Sequence, residues 1–229
     1  MKTFTIGKKK IVLKEEWMVG FITTWIVGLL AHAYRFFNFL PIWDSIYNFT
    51  GVGSTYTLGR WFLGYAGLIT SMFDLPWVNG AFSLFYISIV VILLTEMFEI
   101  KNKGMIVLCA AIFVSFPTVV SSFAYMYTAD AYLLAFLLAT LAVYLTWCVK
   151  KWGTIAGMVC LAFAMGIYQA YATVAIVLVL LYIIRQFVIE KLDFLEAVRK
   201  DLKYLGMLVG GAVLYAVILK ITLIRYNIT

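Results

Sequence analysis

The chain has 229 residues, of which 65% are hydrophobic, 17% aromatic and only 13% charged. Soluble domains run at about 45–50% apolar and about 25% charged residues, so a water-soluble globule is excluded and an integral membrane protein is implied. Eighteen Lys and Arg against eleven Asp and Glu leave a net charge of +7. Most of these basic residues flank apolar runs, so the excess reads as membrane topology and not as a nucleic-acid surface.

The N-terminal Lys8-Lys9-Lys10 looks like the start of a signal peptide, but the apolar run after Trp17 is too long and has no small-residue cleavage site. It is expected to be retained as a first span over 17–38. Apolar runs of helical length then recur over 77–95, 104–121, 129–148, 153–167, 170–187 and 205–223, which makes seven expected spans. The expected fold class is all-α, a polytopic transmembrane helical bundle. With no internal repeat or low-complexity linker, it is read as a single transmembrane domain over 1–229.

Lysines 2, 8, 9, 10 and 14 precede the first span, Lys101 and Lys103 follow the second, and Lys150 and Lys151 follow the fourth. Arg185, Lys191, Arg199, Lys200 and Lys203 follow the sixth. The positive-inside rule makes this side cytoplasmic, with the N-terminus inside. The uncharged run from Trp152 to Ile184 is long enough for one over-long helix or two short ones. A single crossing would place the basic segment 185–203 outside, so two crossings are expected, folded at Gly166-Ile-Tyr-Gln-Ala-Tyr171.

Two further pieces are expected at the membrane surface. Residues 62–73 (FLGYAGLITSMF) are apolar but too short to cross, which suits an interfacial or re-entrant helix. Leu192, Leu195, Val198, Leu202 and Leu205 recur at helical spacing among charged residues, the pattern of an amphipathic helix on the inner leaflet.

Cys109, Cys148 and Cys160 have no CxxC spacing and read as helix-packing residues. With His32 the sole histidine, no His/Cys metal cluster is expected. The span interiors lack Asp, Glu, Lys and Arg, which disfavours an ion-coupled transporter. The ionisable residues expected outside are Arg35, Asp44, Arg60, Asp74, Asp130, Lys220 and Arg225. Most come from span ends and the long first loop, so they can converge on one site at the outer interface beside a hydrophobic wall.

Such a site suits a substrate with a lipid tail and a polar head. If the head is a phosphate-linked sugar, the protein must neutralise charge on the leaving phosphate and accept a proton from the attacking hydroxyl. Arg60 or Arg35 offers bidentate donors for the first task, and Asp44 is the candidate base for the second. One base and a direct displacement imply inversion at the anomeric carbon, unlike a glycoside hydrolase with its pair of carboxylates. Each residue also has a plainer reading. Asp44 can cap a loop helix, Arg60 beside Trp61 can anchor at the lipid interface, and Asp130 can complement a helix N-terminus. Asp74 before Leu-Pro-Trp can be a turn residue, His32 and Arg35 interface residues, and Tyr168 and Gln169 hairpin residues that satisfy backbone. The sequons Asn48-Phe-Thr50 and Asn227-Ile-Thr229 both fall on the expected outer side.

WDSIYN after the first span, GRW some fifteen residues later, FAYMYTADAYLLAFLLATLAVYL and GIYQAY occur in that order. Together they resemble the bacterial and phage O-antigen glucosyltransferase (Gtr) family, polytopic membrane glycosyltransferases of GT-C type, over roughly residues 30 to 175. The resemblance implies transfer of a hexose, typically glucose, from undecaprenyl phosphate to a surface polysaccharide at the outer face of the bacterial cytoplasmic membrane. It places the expected catalytic base at Asp44; the reading of the residues themselves adds Arg60 as the leading phosphate-binding cation, with Arg35, Asp130, Tyr168 and Gln169 as further substrate-binding residues. The implied partners are the polyprenyl-phosphate sugar, a polysaccharide or lipid-linked glycan acceptor and membrane lipids. A separate donor synthase and a flippase would supply the lipid-linked sugar. No cofactor is expected, a weakly held Mg²⁺ being the alternative. Family members usually run longer, which leaves open that this is the N-terminal part of a larger protein. Two rivals remain: a flippase or transporter of the same lipid-linked sugar, and a non-catalytic membrane subunit. Gly51 and Gly53 are expected to give the first loop the mobility for acceptor access.

Overall fold

The computed structural model describes residues 2–6, 9–47, 55–70, 72–191 and 194–228. Gly51, Gly53, the sequon at 48–50, Leu192 and Thr229 lie outside the described residues. The chain opens with a short antiparallel pair, β1 (Lys2–Ile6) and β2 (Lys9–Leu13), with Lys2 opposite Leu13 and Phe4 opposite Ile11. The sequence reading assigned no element here, although Thr3, Thr5, Ile6, Ile11 and Val12 are β-branched residues that favour strands.

The rest is helical: α1 (Glu15–Phe37), α2 (Trp43–Tyr47), α3 (Leu63–Ala66) with a 3₁₀ turn at Gly67–Ile69, α4 (Pro76–Met97), α5 (Lys103–Ser115) and α6 (Pro117–Ala124). After these come α7 (Met126–Cys148), α8 (Gly153–Ile167), a 3₁₀ turn at Gln169–Tyr171, α9 (Ala172–Arg185) and α10 (Phe194–Arg225). Six helical stretches are long and apolar enough to cross a membrane: α1, α4, α5 with α6, α7, 169–190 and α10. The apolar α8, at 15 residues, is shorter, spanning about 22 Å at 1.5 Å per residue. The protein is thus a polytopic helical bundle.

Polar pairs mark its two ends. At one end the start of α1 meets the end of α4, where Lys14 Nζ and Trp17 Nε1 donate to the Glu96 carboxylate at 2.7 and 2.6 Å. Lys103 at the start of α5 pairs with Glu15 at 2.5 Å, and Arg185 at the end of α9 with Glu99 at 3.1 Å. At the other end the finish of α1 meets the segment before α4, through Arg35 and Asp74.

At the centre is α7. Ala129, Ala131, Ala135, Ala139 and Ala142 are all fully buried, and small side chains let neighbouring backbones approach closely where apolar burial gives no preference for protein over lipid. Val90, Leu94 and Met97 of α4 pack with Val143 of α7, Leu161 of α8, Val179 and Tyr182 of α9, and Tyr204 and Met207 of α10.

Three expectations are refined. The span expected at 104–121 is broken, because Pro117 lacks an N–H and pushes Phe116 into an extended conformation (φ −64°, ψ 141°). The carbonyls freed around α6 are answered from α1: His32 Nε2 lies 2.8 Å from Val114 O, and Arg35 donates to Phe123 O at 2.8 Å and Ala124 O at 3.2 Å. The piece at 62–73 does not cross, but its helix is only the short α3 and its 3₁₀ turn. The amphipathic stretch before the last span runs into that span as one helix, α10, because no proline interrupts the backbone ladder and Ala197, Asp201, Tyr204 and Met207 are buried.

Candidate functional site

Arg60 sits on a turn between α2 and α3 that, with the residues beside it, contacts α7, α8, the 3₁₀ turn at Gln169–Tyr171 and α10. Gly59 N donates to Tyr56 O at 2.9 Å and Arg60 N to Thr55 O at 2.8 Å, closing the turn. Gly59 has φ +75°, a left-handed conformation that glycine adopts without steric cost. Beyond it, Trp61 is buried and Phe62 N donates to Gly166 O at 2.8 Å. A Cβ at Gly166 would stand 2.6 Å from the Trp61 indole, so the close approach of the loop to the end of α8 requires glycine there.

The Arg60 guanidinium lies over the Tyr168 ring, 4.5 Å from its centroid, a cation–π contact. One terminal nitrogen approaches the Tyr132 hydroxyl at 3.4 Å, while Nε is buried without a hydrogen-bond partner among the described residues. Tyr132 and Tyr168 stack with centroids 5.5 Å apart, and Tyr171 packs edge-on to Tyr168 at 6.2 Å. Tyr168 and Tyr171 also line an apolar cavity of about 570 Å³, walled by Phe113, Phe116, Leu133 and Phe136. Tyr168 therefore touches a cation and an oily cavity at once.

Gln169 faces this turn. Its Nε2 donates to Leu58 O at 2.6 Å and to Tyr215 Oη at 2.9 Å, and Tyr215 Oη donates to Gly59 O at 3.0 Å. Tyr56 stacks on Tyr226, just past α10, at 4.9 Å. Burial, with Tyr226 adding to it, pushes the Tyr56 phenol up to about 12.

Asp44 lies in the first turn of α2 and is exposed. The turn's local hydrogen bonds belong to Ser45, whose Oγ accepts from Ile42 N at 3.0 Å and donates to Ile42 O at 2.8 Å. Asp130 is placed differently. It is 2% exposed and accepts from Asn79 Nδ2 at 3.0 Å and Thr70 Oγ1 at 3.2 Å, tying α7 to α4 and to the turn after α3. Arg35 is spent on the end of α6 and on Leu40 O at 2.5 Å, with Asp74 at 3.8 Å. Burial raises the Asp74 carboxyl above its ordinary range, and the Arg35 guanidinium opposes this.

The structure thus brings Arg60, Tyr168 and Gln169 together, and sets Arg35 and Asp130 in separate hydrogen-bonded clusters. Lys220 and Arg225 are exposed on α10. No group of three or more His, Cys, Asp or Glu side chains is placed to hold a metal ion among the described residues. Sequence reasoning missed Tyr132, Tyr215, Thr70 and Asn79. Tyr132 lay within the quoted TADAY segment, but Tyr215 is one aromatic in an apolar helix and carries no local signal.

Comparison with curated proteins and with solved structures finds no match. Residues 33–229, which include every residue of this cluster, match the sequence profile of the family described as Glucosyl transferase GtrII, and the chain belongs to that family.

Proposed function

We propose that the protein transfers glucose from a polyprenyl-phosphate donor to a cell-surface polysaccharide, with inversion, at the outer face of the bacterial cytoplasmic membrane. The observation that carries this reading is the junction at Tyr168, where a guanidinium and an apolar cavity of about 570 Å³ share one aromatic ring. A lipid phosphate needs that junction: a cation for the head and an oily wall for the tail. Arg60 is suited to the phosphate because its Nε has no partner among the described residues and its planar donors match phosphate oxygens.

In the proposed reaction the acceptor hydroxyl oxygen forms a bond to the sugar C1 as the bond from C1 to the phosphate oxygen breaks. The electron pair leaves with the phosphate, where Arg60 offsets the growing charge. The hydroxyl proton passes to the Asp44 carboxylate, whose exposure leaves it open to a bulky acceptor. No metal takes part in this scheme. The orientation follows the loops: the basic end bearing Lys14, Lys103 and Arg185 lies in the cytoplasm, and the Arg60 end lies outside. A donor synthase and a flippase would supply the lipid-linked sugar to that face.

The test is transfer from synthetic polyprenyl-phosphate glucose to surface glycan, in membranes holding the wild type, Asp44→Asn or Arg60→Ala at matched expression. Arg60→Ala is expected to lower kcat/KM by roughly 100-fold or more, and Asp44→Asn to abolish turnover while donor binding persists. Unchanged transfer in both variants, with intact assembly, would sink the reading and favour a non-catalytic subunit.

A further inference from the structure

Arg60 is held by a clamp built from distant parts of the chain. Gln169, at the fold between α8 and α9, donates to Leu58 O, and Tyr215, in the middle of α10, donates to Gly59 O; the two are joined by the bond from Gln169 Nε2 to Tyr215 Oη at 2.9 Å. Both carbonyls belong to the two residues before Arg60. An added Cβ on Gly59 would run into Gln169 Nε2 and Tyr215 Oη, so clamp and turn fit without spare room. Both clamp side chains act on the backbone that carries the Arg60 guanidinium.

We infer that Gln169 and Tyr215 are positioning residues for glycosyl transfer: they lock the Leu58–Gly59 turn so that the Arg60 guanidinium stays over Tyr168, aimed at the donor phosphate. This rests on the reading of Arg60 as the phosphate-binding group. It moves Gln169 from ligand to support and gives α10 a part in the chemistry through one hydroxyl. The physical basis is preorganisation. A guanidinium held in place at the charge that develops in the transition state contributes more than a mobile one, because nothing must reorder as the reaction proceeds. An arginine on an unsupported turn samples other positions and loses that advantage.

The clamp predicts a specific non-additivity. Tyr215→Phe removes one oxygen from the side chain and leaves its ring in place, and Gln169→Asn keeps the amide but shortens its reach. Each is expected to lower kcat/KM for synthetic polyprenyl-phosphate glucose about 10-fold in the full-length protein, with unchanged thermal unfolding in detergent. In the Arg60→Ala background either change should cost less than about 2-fold, since no guanidinium remains to be aimed. Equal losses in both backgrounds, or wild-type activity for Tyr215→Phe and Gln169→Asn, would overturn the inference while leaving Arg60 as the phosphate group. Wild-type activity for Arg60→Ala would overturn both. Gln169→Glu, which loses the Nε2 donor at similar size, is expected to behave like Gln169→Asn, and its full activity would count against the clamp.

Discussion

Asp130 offers the sharpest discrimination between a structural and a substrate-binding carboxylate. Replacing it with Ala strands two buried groups, Asn79 Nδ2 and Thr70 Oγ1. Each buried group left unpaired costs roughly 1–3 kcal/mol. The two shares are unequal, because Thr70 Oγ1 already has a long 3.4 Å bond to Gly67 O whereas Asn79 has its Oδ1 committed to Leu75 N at 2.9 Å and cannot flip without losing it. A loss of about 2–4 kcal/mol is therefore expected, a fall in Tm on the order of 10 °C for a chain of this length. Asp130→Asn differs: its carbonyl still accepts from Asn79 and its amide donates to the Thr70 hydroxyl, so the expected loss is about 1 kcal/mol. The assay pairs thermal unfolding in detergent with glucosyl transfer. Asn is expected to retain most activity and Ala to lose activity in step with its lowered Tm. If Asp130→Asn abolished transfer at unchanged Tm, the carboxylate would be acting on substrate and the structural assignment would be wrong.

Gly59→Ala forces a non-glycine residue to φ +75°, at roughly 1–2 kcal/mol, and its methyl displaces the Gln169 and Tyr215 contacts. Transfer is expected to fall at least 10-fold and Tm by about 2–8 °C, and full activity would refute the requirement for that turn. Asp74 has its carboxyl raised by burial, so the folded state holds this proton to higher pH than the unfolded chain does. Its contribution to stability is greatest in acid, below about pH 4, and declines as pH climbs through the raised value. The stability of the wild type relative to Asp74→Asn should decline across that window; a difference that grows with pH would contradict the burial. Thr118 is exposed and lines the apolar cavity. Thr118→Trp should raise the KM for the lipid-linked donor without lowering Tm, whereas an unchanged KM would separate the cavity from the donor tail.

The sequence by itself determined what hydrophobic length and charge placement can determine. Twenty-residue apolar runs must form helices in lipid because no other segment satisfies its own backbone there, so the spans and the hairpin at Gly166–Tyr171 were legible. The family resemblance, carried by the order of WDSIYN, GRW and GIYQAY, was legible as well. Local spacing has no knowledge of which helix ends meet. Arg35 and Asp130 looked like free polar groups near a site, yet Arg35 answers carbonyls left open where α6 ends, and Asp130 is closed around Asn79 and Thr70. Tyr215 lies 156 residues from the glycine it holds, a distance no periodicity spans. Only the packing of α10 against α8, and of the loop against the end of α8, decided that Arg60 stands over Tyr168, a ring that also lines an apolar cavity, because buried polar groups must find partners wherever the fold brings them.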